Sequence, residues 1–284
     1  MDITNTMIKT LRDKTGAGMM DCKRALEATG GDMEAAIEHL RKKGAAVAAK
    51  RADRAAKEGV IVTRVTGDGK VGVMVEVNTE TDFVGRSQDF VGFAGTVAAT
   101  LETGTPSTPE QLLASPTASG KTVGELLNDL LAKVGEKVEI RRFQVLRSDG
   151  GMVSAYTHLG AKIGVLVELG GASGEVAGRA GRDLAMQVAA MNPMVISREE
   201  VDKGVIEREL DIYRTQAKNE GKPAQVVDRI ASGKLEKFFQ EVCLLEQIYI
   251  KDPGKTIREF LQETVPGATV RRFYRFHLGE ELRS

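Results

Sequence analysis

Apolar residues return every three or four positions through the first fifty residues, and the first two runs end on glycine. In TNTMIKTLRDK, 4 to 14, this spacing sets Met7, Ile8 and Leu11 on one helical face, and TGAG at 15 to 18 stops the pattern. MMDCKRALEA, 19 to 28, carries a second stripe of Cys22, Ala25 and Leu26, and TGGD at 29 to 32 breaks it. Met33, Ile37 and Leu40 then mark a third helix. The prediction is a three-helix bundle, marginal alone because so short a segment buries little area. Neighbouring helical residues point about 100° apart, so Met19 and Met20 cannot face the same way. At least one of them belongs on the surface, where methionine is adaptable contact area. RKKGAAVAAKRADRAAKEG, 41 to 59, reads as a basic, alanine-rich helical linker with weak tertiary demands. Its charge fits a solvated helix face or, less economically, a surface for RNA.

The period then changes to alternation, and the chain repeats itself. KVGVMVEV at 70 to 77 recurs as KIGVLVEL at 162 to 169, with apolar residues replacing apolar ones. Strand-like segments precede both copies, EGVIVTRVTGDG at 58 to 69 and GGMVSAYTHLGA at 150 to 161, so each unit opens as a hairpin. Helical segments follow both: 89 to 102 and 122 to 134 after the first, separated by a Pro/Ser/Thr/Gly-rich loop, and 175 to 191 after the second. Further strands are expected at 137 to 146 and 268 to 278. Hairpins followed by helices predict two α+β subdomains with antiparallel sheets, not the βαβ rhythm of a doubly wound fold.

The twins diverge where the strand ends. The second copy runs into GGASG, the first into NTETDFVGR, 78 to 86. If the scaffold needed only a turn there, the glycine version would serve in both places. Two readings of TDFV stand at this level. Thr81 or Asp82 caps a following helix while Phe83 folds back into the core, or the acidic and aromatic pair is a contact surface.

Beyond residue 197, SREE reads as a capping box opening a charged helix to about residue 219. NEGKP turns the chain, and AQVVDRIASGKLEKFFQEV continues as helix with a break expected at Ser232 and Gly233. The result is an antiparallel hairpin that either projects or folds flat on the body. KDPGKTIREFLQET, 251 to 264, starts one more helix before the last strand.

Composition narrows the function. The 284 residues suggest two or three compact units at about 100 to 150 residues each. Forty basic residues balance forty acidic ones, which calls for no nucleic-acid or anionic-membrane partner. Cys22 and Cys243 fit no metal or redox spacing, and no signal-like or membrane-spanning apolar run is present, so a cytoplasmic protein with reduced thiols is expected. His39, His158 and His277 sit in separate segments without ligand spacing, so neither metal nor nucleophilic catalysis is indicated. GDGK at 67 to 70 lacks the spacing of a phosphate loop, and no cofactor site is expected. On its own residues, His158 is a polar side chain near a hairpin bend.

Taken together, LRDKTGAGMMDCKRAL (11 to 26), TDFV (81 to 84), THLGAKIGVLVEL (157 to 169) and DPGKTIREFL (252 to 261) resemble the translation elongation factor Ts family. The resemblance implies an α+β protein opening with a three-helix module of ubiquitin-associated type, followed by a duplicated core, an inserted helical hairpin and a C-terminal helical module. Its boundaries here would be 1–45 for the module, 46–57 for the basic linker, and 58–146 for the first core half. The second half would comprise 147–196 and 265–284, with the hairpin at 197–240 and the C-terminal module at 241–264. The implied function is guanine nucleotide exchange on elongation factor Tu by binding, without bond chemistry. Arg12, Met19, Met20 and Lys23 would grip the partner's G domain. Thr81, Asp82, Phe83 and Val84 would disturb its magnesium site, with Phe83 as a wedge. Val134 and Gly135, grouped with the second core half, would join His158 and Ile250 as further partner contacts. One partner per chain and a homodimer in a two-by-two complex both fit. A peptide- or ubiquitin-binding adaptor would leave TDFV without a purpose, and an RNA scaffold would not explain the zero net charge.

Overall fold

The computed structural model describes residues 2–51, 53–104 and 106–282, without the side chains of residue 45 and of residues 47–50. Three helices open the chain: α1 (Asn5–Thr15), α2 (Met19–Ala28) and α3 (Met33–Lys50). Thr4 caps α1, and Gly16 closes it at φ 68°, a left-handed conformation that glycine enters without steric cost. Ile8, Leu11, Ala17, Cys22, Ala25, Leu26, Ala36 and Leu40 make a separate small core. The expected linker corrects in one respect. Helix α3 runs on to Lys50, but Arg51 and the segment from Asp53 to Lys57 are not helical, and Arg51 and Arg54 turn onto a carboxylate of the core. Part of the linker lies outside the described residues.

The core begins with β1 (Glu58–Val65) and β2 (Val71–Thr79), followed by the short α4 (Asp82–Gly85), then α5 (Gln88–Thr103), α6 (Pro109–Ala114), α7 (Val123–Val134) and β3 (Val138–Arg147). Strands β4 (Gly151–Thr157) and β5 (Ile163–Gly170) and helix α8 (Gly174–Met191) open the second half, which β8 (Thr269–His277) completes. Each half is a three-stranded antiparallel sheet, in the orders β1-β2-β3 and β4-β5-β8, with the repeated segment in the centre. Burial on both faces explains why the central strands are apolar almost throughout. One face of the first sheet packs under α5 and α7, and one face of the second under α8. The two sheets meet through Ile61, Met74, Leu146, Val153, Leu166 and Phe276.

Matching glycines make that meeting reciprocal. A Cβ on Gly72 would lie 2.4 Å from Val153 Cγ1, and one on Gly164 would lie 2.4 Å from Ile61 Cγ2. Gly72 and Gly164 hold the same place in KVGV and KIGV, while Ile61 and Val153 hold the same place in the preceding strands. Each sheet therefore pushes a side chain into a gap left by the other's glycine, a close approach only a residue without Cβ permits.

Differences from expectation collect after α8. Ser197 opens only a 3-10 turn at Arg198–Glu200, and helix α9 (Lys203–Asn219) starts later, capped by Asp202. Glu200 accepts from the Ile196 amide instead of closing a capping box on Ser197. Helix α10 (Ala224–Val242) is unbroken through Ser232 and Gly233. The hairpin α9–α10 is pinned at its base, where Val201, Phe239 and Cys243 are buried. Arg198 bridges Glu236 and Glu246 there. The C-terminal segment is not purely helical: β6 (Ile248–Tyr249) and β7 (Asp252–Thr256) form a hairpin before α11 (Ile257–Thr264), which Thr256 and Glu259 cap reciprocally.

Candidate functional site

Thr81 and Val84 point inward, Asp82 and Phe83 outward. Thr81 is the N-cap of α4, accepting from the Val84 amide at 3.4 Å, and Val84 packs on the first core. Gly85 is buried so tightly that a Cβ there would come within 3.3 Å of the Gly59 backbone. Asp82 pairs with Arg86 at 3.1 Å on the surface, where such a pair adds little. Phe83 is 86% exposed. Half of the structural reading of TDFV therefore holds, since Thr81 caps a helix, and half fails, since the phenylalanine does not return to the core.

Two carboxylates root this segment. Glu136 accepts from the Thr81 amide at 3.1 Å and from the hydroxyls of Thr81 and Thr79. Glu80 accepts from the Lys137 amide at 2.7 Å and from the guanidinium groups of Arg51 and Arg54. Burial works against a charge on Glu80, but the Lys137 amide and the two arginines outweigh it and hold the carboxyl down at about 2.

Arg12, Met19, Met20 and Lys23 are all exposed. Met19 and Met20, at 56% and 61%, both exceed the expectation that at least one would face solvent. Lys23 pairs with Glu27 one turn on, at 3.7 Å. The TGAG turn leading to Met19 rests on α7: a Cβ on Gly16 would sit 2.6 Å from Lys133 Cε. Lys133 in turn holds Asp89, in the first turn of α5, at 2.6 Å. Thr15 and Asp89 line one cavity of about 230 Å³. The methionine-bearing turn and the TDFV segment thus attach at the same end of α5.

His158 and Ile250, far apart in sequence, line one cleft of about 440 Å³ with Tyr156, Ile163, Met186 and Arg275. The Tyr156 hydroxyl lies 2.9 Å from His158 Nδ1. Arg275 enters the cleft from β8 and donates to the Ala189 carbonyl at 3.4 Å; burial pulls its pKa down. Val134 and Gly135 are not in this group. They close α7 over the first sheet, with Val134 packed on the first core and Gly135 left-handed at φ 67°, so their assignment to the second half is corrected. α7 precedes β3, and β3 pairs with β2.

A family model described as Elongation factor TS matches residues 80–280. Elongation factor Ts of Clostridium perfringens (strain SM101 / Type A) is 47% identical over 285 residues, covering 99% of this chain and 94% of the relative. That of Chloroherpeton thalassium is 46% identical, covering 99% of both, and that of Chlorobium phaeobacteroides is 45% identical, covering 98% and 99%. The chain belongs to the elongation factor Ts family. The elongation factor Ts match opens at Glu80, beside the TDFV cap, and the relatives extend the likeness over α1 to α3.

Leu159, in the bend after β4, is a large apolar side chain 91% exposed. The signal that exposed Phe83, a large apolar residue in a turn, was available for it too. Glu80 and Glu136 gave no such signal, because their partners lie elsewhere in the chain. Among the described residues, no group of three or more His, Cys, Asp or Glu could hold a metal ion, and no helix is long and apolar enough to cross a membrane.

Proposed function

We propose that this chain is a cytoplasmic guanine nucleotide exchange factor for elongation factor Tu, acting by binding and without bond chemistry. The carrying observation is Phe83, an exposed aromatic on a braced four-residue helix. It wedges into the partner, while Asp82 engages polar groups beside the magnesium site and loosens the nucleotide phosphates. The three-helix unit, of ubiquitin-associated type, grips the G domain through Arg12, Met19, Met20 and Lys23. The cleft of His158 and Ile250 docks a second domain of the partner, and Val134 and Gly135 add contacts from the first half.

Linkage supplies the thermodynamics: a factor that prefers the nucleotide-free partner weakens nucleotide binding by the factor that nucleotide weakens its own. Burying one phenylalanine offers about 1.5 to 3 kcal/mol, so the wedge acts together with the grip and not alone. The test is GDP release from elongation factor Tu stimulated by the parent and by Phe83→Ala. Slower release from a normally folded variant is expected, and equal rates would defeat the wedge.

A further inference from the structure

We propose that Glu136 and Glu80 are positioning residues for Phe83, forming a reciprocal staple between the root of the TDFV segment and the turn after α7. The inference rests on the wedge reading above. An exposed ring has no core contact to aim it, and a four-residue helix is too short to hold its own shape. Its direction is therefore set by what fixes its ends. Each carboxylate takes the backbone N–H of the other's neighbour: Glu136 that of Thr81, Glu80 that of Lys137. Glu136 also receives both threonine hydroxyls flanking Glu80, at 3.3 Å from Thr79 and 2.9 Å from Thr81. Glu80 meanwhile receives Arg51 and Arg54, which ties the end of the three-helix unit to the same root.

The twin sheet shows that the scaffold does not need the staple. Val77 pairs with Ile140, and its counterpart Leu169 pairs with Val270. Counted on past the ends of the paired strands, the same offsets bring Ala172 to the position of Glu80 and Pro266 to that of Glu136. Neither can accept a side-chain hydrogen bond, and Ser173, standing where Thr81 does, makes no capping bond. The two carboxylates accompany TDFV and are missing where TDFV is missing.

Amide hydrogen exchange of the free full chain, followed over residues 79 to 86, reads the staple without any partner. Glu136→Ala should speed exchange there about tenfold, the scale for losing hydrogen bonds to a charged acceptor, with β1 and α8 unchanged. Glu136→Gln keeps an acceptor oxygen and should recover part of the protection. Unchanged exchange in Glu136→Ala overturns the staple. Stimulated GDP release from elongation factor Tu then reads positioning. Glu136→Ala should lower the maximal rate about tenfold, as misplacement of a working group does, without moving the half-saturating concentration. It should add nothing to the loss already present in Phe83→Ala. A full further loss in that background, or an unaltered rate alone, overturns the positioning role. A Phe83→Ala chain as fast as the parent defeats the wedge reading instead, and the exchange measurement still decides the staple.

Discussion

Glu76 and Glu168 hold the same position in two different sheets, and each is met there by two consecutive arginines. Both carboxylates are fully buried in the central strand. Glu76 accepts from Arg141 at 3.0 Å and Arg142 at 2.6 Å, while Glu168 accepts from Arg272 at 2.6 Å and lies 3.5 Å from Arg271. Adjacent residues of a regular strand face opposite ways, so one carboxylate would normally reach only one of them. A bulge resolves this in both sheets: the register slips directly after Glu76 and after Glu168. The extra residue is Arg141 in one sheet and Arg271 in the other.

The two pairs differ in how far water can replace the carboxylate. Arg141 and Arg142 are 20% and 18% exposed, against 45% and 51% for Arg271 and Arg272. Stranding a buried charge costs about 3 to 5 kcal/mol, and an arginine open to solvent recovers much of that. Glu76 also accepts from the Gly279 amide at 2.8 Å. Glu76→Ala is therefore expected to destabilise the fold by about 3 kcal/mol or more, and Glu168→Ala by about half as much. Urea denaturation of both variants checks the order, and equal losses would contradict it.

The staple at TDFV has an acid limit. Glu80 titrates at about 2 in the folded chain against an ordinary 4.5, so its contribution to stability is fully present above pH 4.5 and disappears as pH falls toward 2. Glu80→Gln cannot titrate there. Thermal unfolding midpoints of parent and Glu80→Gln should thus differ most near neutral pH and converge as the solution is acidified through that window. A gap that stays constant down to pH 2 would show that the Glu80 charge carries no stability.

What the sequence revealed depended on how local the cause was. The helical starts were legible in Leu11, Cys22 and Leu26 because a helix writes its buried face at short spacing. The repeat was legible in KVGVMVEV and KIGVLVEL because buried central strands tolerate only apolar residues. Phe83 stood out because its twin loop has glycine and alanine in that region. By contrast, the Thr81–Glu136 and Glu80–Lys137 bonds join segments separated by a whole helical layer, and nothing near either glutamate predicts its partner. The hairpin at Ile248 and Asp252 was hidden by its two-residue strand and by Pro253, which reads as a helix boundary. Val134 and Gly135 join the second half only in what the resemblance implies; they lie inside the 58–146 span read as the first half, and the pairing of β3 with β2 keeps them there.

Met19 and Met20 separate gripping from wedging. Both side chains lie on the surface at the start of α2, outside the small core that holds α1 to α3 together. Replacing both with alanine should leave the unfolding transition within about 0.5 kcal/mol of the parent, as surface changes usually do. Burial against a partner is worth about 1.5 to 3 kcal/mol for one such side chain, so even partial loss at two positions predicts affinity for elongation factor Tu lower by about tenfold to a hundredfold. Once enough factor is present to saturate the partner, release should return to the parental maximum, because the wedge and its staple are intact. Phe83→Ala should instead lower the maximum itself, a loss that added factor does not restore. Binding by calorimetry and release rates across a concentration series distinguish the two patterns. If the methionine variant binds as tightly as the parent, the three-helix unit does not grip through this face.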